Sequence, residues 1–96
     1  MRIYISGPMR GIENYEQNFK EAQEELEAQG HQVVNPCCLK DLDLYVEEYL
    51  NIDKYLVSIC DAIYMLRGWK HSTGANIERT HAIRLDKKVY YEGSTY

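Results

Sequence analysis

Four short apolar runs alternate with three segments of helical period, and that alternation restricts the available folds more than any other feature of the chain. RIYIS (2–6), HQVVN (31–35), DAIYML (61–66) and KVYYE (88–92) have strand length and composition, the first closed by Gly7-Pro8 and the second by Pro36. Between the first two, Asn14 to Gln29 carries Tyr15, Phe19, Ala22 and Leu26 at helical spacing. Asn14 with Gln17 is expected to open that helix as a capping box, and Gly30 to close it as the C′ residue. A second helix is expected from about Asp43 to Cys60, with Val46, Tyr49, Leu56 and Cys60 on its buried side, and a third from Ser72 to Leu85. The order β-α-β-α-β-α-β with short links predicts a parallel sheet of about four strands with helices on both faces. The reading is one three-layer α/β/α domain over residues 1–96.

Composition narrows the partners. Hydrophobic residues make up 45% and charged residues 27% of the chain, which is ordinary for a packed domain and excludes disorder. The net charge of −4 has no basic stripe, so a nucleic-acid polymer is not expected. No apolar run reaches the ~18 residues of a membrane span, and Met1 leads directly into a strand-like run, so a cytoplasmic protein is expected. Cys37, Cys38 and Cys60 read as free thiols, and with His31, His71 and His81 scattered no metal or other cofactor is expected. A chain this short buries only about 60–65% of the surface its unfolded form exposes, which favours a homodimer or larger homo-oligomer.

Right-handed crossovers in a doubly wound, Rossmann- or flavodoxin-like layout give strand order 2-1-3-4. Ligands of such sheets bind beyond the carboxyl ends of the strands, where the order reverses. Here that point lies between strands one and three, under GPMRG (7–11) and RGWKHSTG (67–74). Two acids interrupt apolar stripes nearby. Glu78 falls in line with Ala75, Ala82 and Leu85, and Asp53 with Val46, Tyr49, Leu56 and Cys60. At Glu78 the helix dipole favours the carboxylate by about 0.3–1 kcal/mol, up to ~2 when partly buried, while burial favours the neutral acid. Two carboxyl groups facing a sugar suit glycosyl transfer, one as nucleophile and one as acid. The structural alternatives are that Glu78 pairs with a tyrosine or arginine, and that Asp53 bonds a hydroxyl or backbone group. Tyr4 is placed to orient Glu78 through its phenol. Arg10, Gly11, Ser72 and Gly74, with Ser6 and Gly7 at the end of strand one, are candidate substrate- or phosphate-binding residues. Ser72 also serves as a helix N-cap, which alone would account for it. Trp69 either stacks on a base or closes its loop, and Asp61, at the amino end of strand three, is read as structural.

IYISGPMRG (3–11), AQGHQVVNP (28–36), DKYLVSICD (53–61) and DAIYMLRGWKHSTGANIERTHAI (61–83) together carry a resemblance. The chain resembles small uncharacterised domains related to nucleoside 2-deoxyribosyltransferases and 2′-deoxynucleoside 5′-phosphate N-hydrolases. The resemblance implies that Glu78 attacks C1′ of the sugar and expels the base, leaving a covalent glycosyl–enzyme intermediate. It implies that Tyr4 orients Glu78 and that Asp53 acts as acid near the leaving base. Water as acceptor gives hydrolysis and a second base gives transfer. Serine at position 72, where transferases carry a carboxylate, together with Arg10, points to a nucleoside 5′-monophosphate over the free nucleoside. The expected function is an N-glycosidase or deoxyribosyltransferase acting on a small-molecule nucleotide or nucleoside. The alternatives are a non-catalytic nucleotide or nucleotide-sugar binding module, and a purely structural interaction domain.

Overall fold

The computed structural model describes residues 1–93. Its strands are β1 (Arg2–Ser6), β2 (Gln32–Val34), β3 (Ala62–Met65) and β4 (Lys88–Tyr91), and its helices α1 (Tyr15–Ala28), α2 (Val46–Ser58) and α3 (Thr73–Arg84). All neighbouring strands are parallel and the order is β2-β1-β3-β4, as the alternation predicts. Tyr4 pairs with Val34 on one side and Ile63 on the other, so β1 is central.

Strand alternation divides the interior into two cores. Ile3 and Ile5 of β1 and Ala62 of β3 pack, with Leu66 just beyond it, on Phe19, Ala22 and Leu26 of α1. The intervening Tyr4, Ile63 and Met65 face the opposite way, onto Val57 and Cys60 from the α2 side and Ala75 and Ala82 of α3. The helices therefore cover both faces, one on the first and two on the second. Burying Phe19 completely contributes about 1.5–3 kcal/mol and anchors the α1 layer.

Helix α1 ends as its sequence predicts. Gly30 adopts φ 93°, its N–H bonds the Glu27 carbonyl, and the His31 N–H reaches back to Leu26, a Schellman arrangement. Its start differs from expectation. Asn14 sits in the left-handed region at φ 62° with no side-chain cap bond, so no capping box forms there. The acid-to-backbone contact of such a box occurs instead at α2, where Glu48 accepts the Tyr45 N–H at 2.9 Å. Helix α2 is shorter than the expected 43–60, and Leu56 and Cys60 pack inward as expected. Val46 is exposed, whereas Val57 is fully buried, so the inward seam runs nearer Leu50, Asp53, Val57 and Cys60. A 3₁₀ turn, Pro36–Leu39, follows β2, with Asn35 Oδ1 accepting the Cys37 N–H. Among the described residues no helix is long and apolar enough to cross a membrane.

Candidate active site

Strand alternation places Tyr4 and Ser6 two residues apart on the α3-facing side of β1. Helix α3 presents Ala75, Glu78 and Ala82 to that surface, while Leu85, expected on the same stripe, lies past the helix end and is exposed. Glu78 thus comes down between two hydroxyls. Tyr4 donates to Glu78 Oε2 at 3.0 Å and Ser6 donates to Oε1 at 2.5 Å. Tyr4 and Ser6 are fully buried and Glu78 is only 7% exposed.

Asp53 reaches the same place from α2. Its Oδ1 is buried and accepts no hydrogen bond. An orphaned buried carboxylate oxygen costs roughly 1–3 kcal/mol, so something else must offset it. The neighbouring Glu78 is one compensation. Burial, opposed by the Ser6 hydrogen bond and reinforced by the Asp53 charge, pushes the Glu78 carboxyl up to about 8. Burial also raises Asp53, against the lowering effect of Glu78 and Tyr4. Near neutral pH the pair therefore retains a proton, resting mainly on Glu78, and Asp53 can accept it. The phenol of Tyr4 is held well above its ordinary value by burial first and the Glu78 charge second, so it stays a donor.

Both acids line one hollow of about 580 Å³. Its apolar wall includes Val46 and Leu50 of α2, and its rim carries Arg10 and His71. Arg10 makes no ion pair or side-chain hydrogen bond to any described residue. The amino end of α3 opens into the hollow through Ser72, Thr73 and Gly74. Ser72 is the N-cap, accepting the Ala75 N–H at 3.2 Å, which leaves its hydroxyl proton available. A Cβ at Gly74 would meet nothing within 4 Å, and the residue has no positive φ. Neither packing nor backbone geometry requires glycine there, although it costs a helix about 0.5–1 kcal/mol relative to alanine. Gly7 is different, since a Cβ would fall 2.7 Å from Leu66 Cβ, so close packing explains it.

The expected site residues therefore separate. Glu78, Asp53, Gly7, Arg10, Ser72 and Gly74 line the hollow, with Tyr4 beneath Glu78. Ser6, expected to bind substrate or phosphate, lines the hollow too and donates its hydroxyl to Glu78. Gly11 lies outside the lining and answers a turn at φ 76°. Trp69 does not reach this hollow either: its ring packs against Tyr91 at 5.7 Å and is covered by the Arg79 guanidinium at 4.9 Å. Asp61 is structural, accepting the Arg2 N–H at 2.8 Å, which lowers its carboxyl. Sequence reasoning passed over Asn76, whose side-chain amide donates to the carbonyls of Trp69, Lys70 and Ser72 at 3.2, 3.1 and 2.8 Å and braces the loop. It also set aside His71, which the braced turn brings to the rim.

Fold and site together define a parallel α/β domain with a paired-acid hollow at the switch point of its sheet. The family described as Domain of unknown function (DUF4406) matches residues 1–91, and the chain belongs to it. No curated protein matches it in sequence. Among solved structures, the chain is similar to a 2-deoxyribosyltransferase from Leishmania mexicana with a TM-score of 0.74 and 20% identity, over 94% of this chain and 62% of that one. It therefore spans less than two thirds of that enzyme's length. The CMP N-glycosidase of Clostridium botulinum superposes with a TM-score of 0.71 at 20% identity, over 95% of this chain and 70% of the other. A 2-deoxyribosyltransferase from the psychrotolerant bacterium Bacillus psychrosaccharolyticus gives 0.78 at 19% identity, over 100% and 77%. At such identities the likeness is one of fold.

Proposed function

We propose that the protein cleaves the base–sugar bond of a nucleoside 5′-monophosphate or nucleoside, with Glu78 as nucleophile and Asp53 as acid. The observation that carries the reading is a pair of carboxyl groups, Glu78 and Asp53, brought together above Tyr4 and Ser6 and facing one hollow. Further support comes from Gly74, whose missing side chain serves neither packing nor geometry, and from an unpaired Arg10 at the rim. The fold shared with deoxyribosyltransferases and a CMP N-glycosidase agrees with it.

In this reaction the proton of the pair passes from Glu78 to Asp53, leaving Glu78 ionised and Asp53 protonated. Glu78 attacks C1′ as the C1′–N bond breaks, and the bonding pair leaves with the base, which takes the proton from Asp53. A water then attacks C1′, gives its proton to Asp53 and releases the Glu78 carboxylate. A second base in place of water gives transfer. Tyr4 and Ser6 hold the carboxyl in line and stabilise its ionised form. Arg10 and the amino end of α3 receive the 5′-phosphate.

The test is incubation with a panel of nucleoside and deoxynucleoside monophosphates and free nucleosides, assayed for released base. Release from the wild type and none from Glu78→Gln is expected. No release, or equal release from the variant, refutes it. Ligand-induced stabilisation that survives Glu78→Gln without turnover would establish the binding-module alternative instead.

A further inference from the structure

A second hollow, about 610 Å³, lies on the other side of the 67–72 segment, at the carboxyl ends of β3 and β4. His71 lines both hollows. Among the described residues Arg67, Lys70 and Arg79 enter the second with Glu92 as the one acid, so three permanent cations against one carboxylate leave an excess of two positive charges. The chain as a whole is acidic, with 15 acids to 11 Lys and Arg, so the excess is not a reflection of composition.

One of the cations is held in place by the fold. The Arg79 guanidinium lies over the Trp69 ring at 4.9 Å and the Tyr91 ring at 5.9 Å, and its Nε donates to the Tyr91 hydroxyl at 2.9 Å. That arrangement fixes the plane of the fork while its Nη groups bond no described residue. The Arg67 side chain lies against Gly93, where a Cβ would stand 2.4 Å from Nη2, and its guanidinium likewise bonds no described residue. Glu92 is occupied from another direction, accepting the Arg67 backbone N–H at 3.0 Å. Holding like charges around an open hollow is unfavourable unless an anion completes it.

We propose that this hollow binds a phosphate group, free or carried by a small molecule, at a site separate from the paired acids. One fixed fork, a second guanidinium and an ammonium match the geometry and the charge of about −2 of a phosphate monoester near neutral pH. Recognition goes to the phosphate and not to a base, because Arg79 already covers the Trp69 ring.

The chain has a single tryptophan, Trp69, which lines this hollow and not the first, so its fluorescence reads binding here. Inorganic phosphate and ribose 5-phosphate are titrated separately at ionic strength held constant with chloride, following Trp69 emission. Saturable responses are expected, weakened about tenfold or more in Arg79→Gln and in the more exposed Arg67→Ala, with Arg10→Ala unchanged. Tighter binding of the ester identifies a phosphorylated small molecule as the occupant; tighter binding of inorganic phosphate identifies the free ion. A non-saturable response, one that both guanidinium variants retain, or one lost in Arg10→Ala overturns the proposal. Arg67→Ala keeps the test decisive if Arg79→Gln disturbs packing, since Arg67 supports no ring.

Discussion

The two faces of the sheet are built from one set of strands and put to opposite uses. On the α1 face Ile3, Ile5, Phe19, Ala22, Leu26, Ala62 and Leu66 form a buried core without a polar side chain among them. On the α2–α3 face the same strand turns Tyr4 and Ser6 inward, and Glu78 and Asp53 meet them. The first face gains stability from every residue it buries. The second buries an apolar core as well, but it also places ionisable groups where water is scarce, which reduces stability. The fold can hold such a site because apolar cores on both faces of the sheet offset its cost.

That division can be broken from either side. The largest effect is expected at Phe19→Ala, which should destabilise the protein by about 3–5 kcal/mol in denaturant unfolding. A loss under 1 kcal/mol would mean the α1 core contributes little to that offset. Glu78→Gln should act with the opposite sign at alkaline pH. Because folding raises the Glu78 carboxyl from 4.5 to about 8, the folded state holds a proton that the unfolded chain has lost across that range. Wild-type stability should therefore fall as pH rises through that window, by up to ~1.4 kcal/mol per pH unit. Urea midpoints measured from pH 5 to about 8 should show this slope flattened in the variant. An unchanged slope would place the proton elsewhere.

Smaller changes sharpen the contrast within the reactive face. Ser6→Ala removes the hydrogen bond that opposes the upward shift of Glu78, so its carboxyl should titrate still higher. Carbon-detected NMR of the Glu78 carboxyl would read the change directly, and a downward move would contradict the assigned donor. Stability should drop by roughly 1–3 kcal/mol at a pH where Glu78 is ionised. The smallest effect is expected at Gly74→Ala, a gain of about 0.5–1 kcal/mol in α3 accompanied by weaker nucleotide binding. Thermal unfolding with and without a nucleoside monophosphate would separate the two, and a variant that binds as well as wild type would remove the ligand argument for this glycine.

The fold was legible because periodicity reports it directly. The strand runs, the three helices and their order lead to a parallel 2-1-3-4 sheet by handedness alone. Glu78 was legible for the same reason, as a carboxylate on an apolar stripe. Asp53 was found through a helical phase that Leu56 and Cys60 keep, although Val46 at its start is exposed. Ser6 carried a signal that went unused: it shares a strand face with Tyr4, two residues away. Its partner is 72 residues distant, and strand phase alone does not say which helix residue sits opposite. Trp69 and His71 lie in a segment without periodicity, where no repeat tells one side of the chain from the other. Asn14 matched a capping pattern but took a left-handed conformation, which turns its side chain away from the helix it precedes.

The three carbonyls gathered by Asn76 have a consequence for timing. Because one amide ties Trp69, Lys70 and Ser72 together, the segment separating the two hollows is set when the domain folds and not when a visitor arrives. Little disorder in that segment remains to be lost on association, so a ligand at either proposed site would forfeit little of its binding free energy to ordering these walls.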